Sequence, residues 1–575
     1  MEQKGLDINF YIGIFLIFGL LMWFNFNQLP VQELNTNGKL ALEDSLSIIK
    51  NQNTHTELVE ELEYSNIYKK NQEERFYFLS NNKLDIKISN HGAAIKAVVL
   101  KEYVTHDSLA LNLINNLDFD FSFFIQDKKI HTSELVFDEV EQESNQLIFK
   151  YQDLNKNNIE FIYSLGENNY NLKFEIVTKN GNTYIEPGQL LFAQEVNQLE
   201  KNLDNERNTT TINYSVNNTS SKQMSLMKDN EKNIENPTWV AHKQQFFSTI
   251  ITSQNHFRDV TLITRSTDSD EYVKFLSSSF SIDYDNESNN YLFDFYFLPN
   301  KYSLLNSFDK GFETLVPLGK FVFGWVNKFL VIPIFNFLEK LGLNYGLIIF
   351  IIAVVIKVLL FWPTKSSYIS MAKMRVLKPE IDALNDKIKD PLQKQQAQMN
   401  LYRKTGVNPL GGCLPLLLQM PVLIALFRFF PASIELRQQP FLWADDLSTY
   451  DSILDFGFNI PLYGDHISLF ALLMTLATVL QMMYSNQMSS SAQMPQMKYV
   501  MYMMPIIFLL VMNNYSAALS YYYFLANIIT FMQQLIIRRS IDDDKLYAML
   551  QENKKKPIQK SKFQQRLENI AKKNK

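Results

Sequence analysis

The chain of 575 residues has one cysteine, Cys413, so no intramolecular disulfide can form and each soluble segment must be held by its own core. It also lacks a basic excess, with 55 Lys and Arg against 60 Asp and Glu and a net charge of -5. Nucleic-acid binding needs a concentrated basic surface, so no direct contact with DNA is expected. Between position 25 and Phe321 no run approaches the roughly 20 apolar residues that a helix needs to cross hydrocarbon. That middle stretch is polar and rich in Asn, Asp, Glu, Lys and Ser, whereas apolar residues gather in the first 25 positions and after Phe321. The chain therefore reads as membrane at both ends and soluble in between.

Six stretches are long and apolar enough to span: 8–24, 343–362, 414–431, 467–484, 497–512 and 517–537. The first is preceded by Lys4 against Glu2 and Asp7, and no small-residue cleavage pattern stands ahead of Pro30. It reads as a retained anchor (1–25) rather than a cleaved signal peptide. Lys and Arg beside short loops mark the cytoplasmic side. Between the second and third spans stand Lys365, Lys373, Arg375, Lys378, Lys387, Lys389, Lys394, Arg403 and Lys404, and the tail after Arg538 is again basic. The 433–466 loop instead carries Glu435, Asp445, Asp446, Asp451, Asp455 and Asp465 against Arg437. Both termini are therefore expected in the cytoplasm, with the large middle domain outside.

Residues 26–70 form a polar tether. From 71 to 310 short runs such as KLDIKIS, FDFSFFI, NIEFIYSL and YLFDFYFL alternate apolar with polar residues, as half-buried antiparallel strands do, so an all-β sandwich is expected. The 199–237 segment breaks the rhythm and reads as a long loop or insertion. His91, His106, His131, His242 and His256 show no metal-ligand spacing and read as solvated side chains. Within 311–342, Phe321, Trp325, Lys328 and Phe329 share one helical side and Pro333 interrupts the run, which suits a helix lying in the outer interface; a seventh span is the alternative. In the 365–408 loop, Ile381, Leu384 and Ile388 lie on one helical face. Asp390 then caps a new helix with Pro391 at its first position, and Gly406 stops it, giving a cytoplasmic helical hairpin. A core of five helices over 343–540 and a basic tail over 541–575 complete the division.

Three stretches stand in order: TKSSYISMAKMRVLKPEI from Thr364, NPLGGCLPLLLQMP from Asn408 and ELRQQPF from Glu435. Together they resemble the YidC/Oxa/Alb family of membrane protein insertases over about 312–539. KLDIKISNHGAAIKAVVL and WVAHKQQFF are similar to the periplasmic domain of its Gram-negative bacterial branch, a β-super-sandwich like sugar mutarotases. The resemblance implies an inner-membrane insertase and chaperone with six transmembrane helices and no nucleotide or metal cofactor. It implies that nascent membrane proteins enter a hydrophilic groove open to the cytoplasm, alone or beside the Sec translocon, and leave sideways into lipid. The hairpin, with Lys387 and Lys394, and the basic tail would meet ribosomes and signal-recognition targeting factors.

The family usually places arginine in the groove; the matching position here is Lys357, which keeps the charge and gives up the bidentate fork. A charge at mid-membrane costs roughly 2.5 to 3.5 kcal/mol on insertion scales and calls for compensation. Lys357 lies about 9 Å along the helix from Pro363, so its stem could snorkel toward headgroups. Alternatively it joins Gln419, Gln481, Asn527 and Gln533 around a wet groove, although each of these could instead pack helix against helix. Tyr522 and Tyr523 match the family's paired tyrosines better than Tyr521, with packing as the plainer role. Arg428 falls outside the pattern. An anchored enzyme acting through the β domain and a small-solute transporter compete with the insertase reading; no inverted repeat or pair of broken helices favours transport.

Overall fold

A computed structural model describes residues 73–555, apart from 116, 126–127, 153–157, 180–184, 219, 255–256, 270, 283–289, 409–413 and 489–494. The expected first span, the tether, His256, Cys413 and the end of the tail lie outside the described residues. The chain divides into two compact units, Met1–Val316 and Pro317–Lys575.

The first unit is built from three antiparallel sheets. Nine strands form the largest; its centre runs Trp239–Lys243, Phe247–Ser253, Asn290–Pro299, Asn171–Lys179 and Asn158–Leu165 in spatial order. The six-stranded sheet centres on Phe257–Arg265, Tyr272–Ile282, Ile185–Asn197 and Leu117–Ile125, and Phe76–Ser80 edges a sheet of four. Strict alternation drives the packing: every second residue of Asn158–Leu165 is buried. Aromatic side chains close the gap between the two large sheets, Phe119 lying 5.5 Å from Phe174 and Phe192 lying 5.9 Å from Phe295. Each such side chain buries 150–250 Å² and lets a core hold without cross-links.

In this unit the loop reading of 199–237 and the solvated reading of His242 both fail. The 199–237 segment is a helix, Leu203–Thr209, and three strands, Thr211–Ser215, Lys222–Gln223 and Asn230–Glu235, that extend both large sheets. Several of its polar groups are held by buried hydrogen bonds. Asn202 caps the helix, the Glu206 carboxylate accepts from the Leu199 and Glu200 amides, and the Lys274 ammonium donates to the carbonyls of Thr210 and Leu226. His242 is likewise no surface side chain. It is buried between Gln194 and Ser278, 3.1 and 2.8 Å away, and burial pushes its imidazole down to about 3.

Ten helices make up most of the second unit among the described residues: α1 (Phe321–Lys340), α2 (Tyr345–Leu359), α3 (Phe361–Val376), α4 (Lys378–Lys387), α5 (Pro391–Thr405), α6 (Leu414–Ala432), α7 (Leu469–Met488), α8 (Pro495–Met512), α9 (Ala517–Arg539) and α10 (Asp543–Lys555). α6 to α9 match the expected stretches within a few residues. α1 does not break at Pro333. A π-turn over Asn327–Val331, where the Ile332 N–H reaches the Asn327 carbonyl, shifts the hydrogen-bond register just before the proline, and α1 runs on as one helix. By length and composition α1 could cross a membrane, and α2 with α3 would qualify as one span bent by 60°.

α4 and α5 form as the residues dictate: the Asp390 side chain accepts from Leu392 N, Pro391 opens α5, and Gly406 closes it at a φ of 72°. Ile381, Leu401, Tyr402 and Val407 pack with Tyr368, Met371 and Met374 of α3 and with Leu550 of α10. The start of the basic tail is thus a docked helix with an acidic first turn, its Asp543 paired to Arg375 at 2.6 Å and Arg538 at 2.9 Å.

Candidate functional site

α2 begins at Asn344, whose side chain accepts from Gly346 N at 2.9 Å. Gly346 must be glycine, since a Cβ there would lie 2.1 Å from the Phe441 ring. From that fixed start, helical spacing sets Ile349, Ala353, Ile356 and Lys357 on the buried face, while Leu347, Phe350, Val358 and Leu359 are exposed. Lys357 therefore points among the helices and is only 5% exposed.

Its Nζ donates to Gln419 Oε1 of α6 at 3.0 Å and to Thr530 Oγ1 of α9 at 2.7 Å, and its backbone carbonyl accepts from Gln533 Nε2 at 3.1 Å. The ammonium is turned inward in this structure and does not snorkel. Thr530 can accept because its own hydroxyl donates to the Ala526 carbonyl at 2.7 Å. Around this centre Gln534 Nε2 of α9 donates to the Tyr368 hydroxyl of α3, and Asn527 Nδ2 donates to Thr478 Oγ1 of α7. Gln481 is half-buried on α7 and is not a member of this network.

Among the described residues no carboxylate pairs with Lys357, and one of its three N–H bonds has no acceptor. A hydrogen bond to a charged group contributes about 1.5–3 kcal/mol, whereas burying an ion costs several. Two neutral acceptors offset that cost only in part.

The tyrosines separate by environment. Tyr521 packs on Phe441 and Phe470, 5.0 and 5.2 Å away. Tyr522 meets Tyr523 edge-on at 6.1 Å and Phe430 at 5.9 Å, and its buried hydroxyl has no partner among the described residues. Lys387 is exposed at the end of α4 and Lys394 is half-buried in the first turn of α5. Sequence reasoning missed Thr530, Thr478, Gln534 and Tyr368. The signal was present in part: Tyr523, Asn527, Thr530 and Gln534 repeat at intervals of four, three and four, which is one stripe of a helix.

An inward cation among amides and hydroxyls, beside the exposed apolar side chains Leu347, Phe350, Val358 and Leu359 on the other face of α2, is the pattern of an integral membrane protein. Two family profiles match the chain, "YidC periplasmic domain" over 78–336, which takes in most of α1, and "60Kd inner membrane protein" over 337–544. The chain is similar to the membrane protein insertase YidC of Parabacteroides distasonis, 37% identical over 86% of this chain and 82% of the relative. That of Amoebophilus asiaticus is 40% identical over 75% of each chain. Thus the chain belongs to the YidC family of bacterial inner-membrane protein insertases. Among solved structures, an active YidC insertase aligns over 86% of this chain and 98% of its own at 17% identity and a TM-score of 0.33. A galactose mutarotase related enzyme from Lactobacillus acidophilus aligns over 39% of this chain and 97% of its own at 14% identity and a TM-score of 0.26.

Proposed function

We propose that α2, α6, α7, α8 and α9, with an N-terminal anchor, form a six-span insertase whose Lys357 faces a water-filled groove open to the cytoplasm. Both termini and the α4–α5 hairpin lie in the cytoplasm, and the β unit lies outside. The observation that carries this reading is the ammonium held by Gln419 and Thr530 with one N–H bond unengaged and no carboxylate paired to it among the described residues. Such a site resembles a receptor for an incoming anion more than a structural ion pair, which would carry its own carboxylate.

A hydrophilic tail entering from the cytoplasm meets water and a positive centre partway across, so its desolvation is divided into smaller steps. Acidic side chains on the tail gain most from that centre. Gln481 and Asn527 extend the polar lining along α7 and α9. Tyr522 and Tyr523 lie about 10–12 Å from Thr530 toward the start of α9 at 1.5 Å per residue, where a tyrosine hydroxyl without a partner among the described residues can meet a passing backbone. The exposed Lys387 and the neighbouring Lys394 are placed to meet ribosomes, targeting factors or the Sec translocon, and the basic tail supports the same contacts.

The decisive experiment places a cysteine at 357 in a Cys413→Ser background in sealed vesicles. Reaction with a membrane-impermeant maleimide from the cytoplasmic side is expected. A thiol that stays unreactive there while labels at acyl-chain depth reach it would overturn the groove. Photo-cross-linkers at 357, 419 and 523 are expected to capture a stalled nascent membrane protein.

A further inference from the structure

Between α6 and α7 the chain forms a two-stranded hairpin, Leu454–Ile460 paired with Gly464–Ile467. An isolated hairpin of two strands is marginal in water, and this one is unusually apolar on its exposed side. Phe458 is 64% exposed and Leu462 84%, with Ile453 and Leu454 exposed beside them. Asp455 and Asp465 lie in the paired strands, and no charged residue occurs from Phe456 to Gly464.

The backbone at the tip is costly. Leu462 adopts a φ of 69°, a conformation that glycine or asparagine takes more cheaply. A leucine kept there points to a use for its side chain.

The position of the tip is fixed by the helix ends. Asn513 Nδ2 and Asn514 Nδ2, at the α8–α9 junction, both donate to the Tyr463 carbonyl at 3.0 and 2.8 Å. The Asn513 Oδ1 accepts from Ser468 N just before α7, and His466 Nε2 lies 2.8 Å from the Asn513 carbonyl. The turn therefore sits where α7, α8 and α9 end. Immediately beyond, α7 exposes Leu476, Leu480 and Met483, a stripe at helical spacing that faces lipid if α7 spans the bilayer.

We infer that this hairpin is a membrane-interface anchor: Phe458 and Leu462 seat at the boundary of headgroups and acyl chains in the outer leaflet, continuing the lipid-facing surface of α7. The inference rests on the proposed topology of the spans. Its occupant is the lipid surface itself, recognised by apolar burial. No lysine or arginine occurs from 438 to 497, so anionic lipid adds no attraction to the anchoring.

The test uses the full chain in nanodiscs, in a Cys413→Ser background, with an environment-sensitive fluorophore at Leu462→Cys and, separately, at Leu476→Cys. Lipids spin-labelled near the glycerol quench the label at 462, and its emission is blue-shifted, no more strongly in anionic than in zwitterionic discs. Phe458→Cys serves as a second tip probe where labelling at 462 disturbs the turn. Quenching at 476 with water-like emission at both tip positions overturns the anchor and leaves the topology standing. A blue shift at the tip without lipid quenching also overturns it, because protein would then be the cover. Absence of quenching at 476 as well is failure of the spanning assignment itself.

Discussion

At the scale of single residues, Lys357 carries opposite consequences for stability and for activity. A buried ion carries a desolvation cost of several kcal/mol that an apolar side chain of similar length does not. Lys357→Met is therefore expected to unfold at the same or a higher temperature in detergent while losing insertion of clients with acidic translocated tails by about tenfold, the equivalent of ~1.4 kcal/mol. Lys357→Arg keeps the charge and is expected to keep most of that activity. Equal insertion of acidic tails by the methionine variant in reconstituted vesicles would remove the electrostatic role. Thr530→Val makes a complementary case, since it preserves shape and charge and takes away the 2.7 Å acceptor. It is expected to destabilise the protein by about 1–3 kcal/mol, read from thermal unfolding.

At the scale of elements, α10 holds the base of the α4–α5 hairpin. Leu550 is its one buried residue, and Lys554 pairs with Glu380 of α4 at 2.8 Å alongside Tyr547 and Gln551. Leu550→Ala is expected to cost about 2–5 kcal/mol of local stability and to raise amide exchange in α4 and α5, with α7 unaffected. Unchanged protection in the hairpin would show that α10 does not support it. The same elements show what the residues alone revealed. Asp390, Pro391 and Gly406 announce both ends of α5, and α6 to α9 are legible as apolar runs. α10 is not, because a helix that buries a single leucine among charges has no apolar stripe to read. The strand Thr211–Ser215 was hidden in the opposite way: all five of its residues are buried, so it lacks alternation. In the site, Lys357 stood out as a charge in an aliphatic run, whereas Thr530 and Thr478 did not. A threonine in a helix ordinarily bonds its own preceding turn, as both do here, and that habit does not tell that each also accepts a hydrogen bond from across the bundle.

At the scale of the molecule, the β unit contains a pH-dependent stability of its own. His242 is held neutral by burial down to about pH 3, whereas an unfolded chain protonates it near 6.5. Its contribution is fully present above pH 6.5 and is lost as the pH falls toward 3, because only the unfolded state takes up the proton, with a slope approaching about 1.4 kcal/mol per pH unit. Unfolding monitored through the buried Trp239 is expected to show this acid slope, and His242→Gln is expected to flatten it. An identical slope in the variant would assign the acid sensitivity to other groups. For the helical unit, the neutral partners of Lys357 have a different implication. In the proposed groove, a carboxylate that left Lys357 would leave behind the amide and hydroxyl contacts already present, with no rival anion to displace. A resting state that rebuilds itself in this way can serve one passenger after another on thermal motion alone.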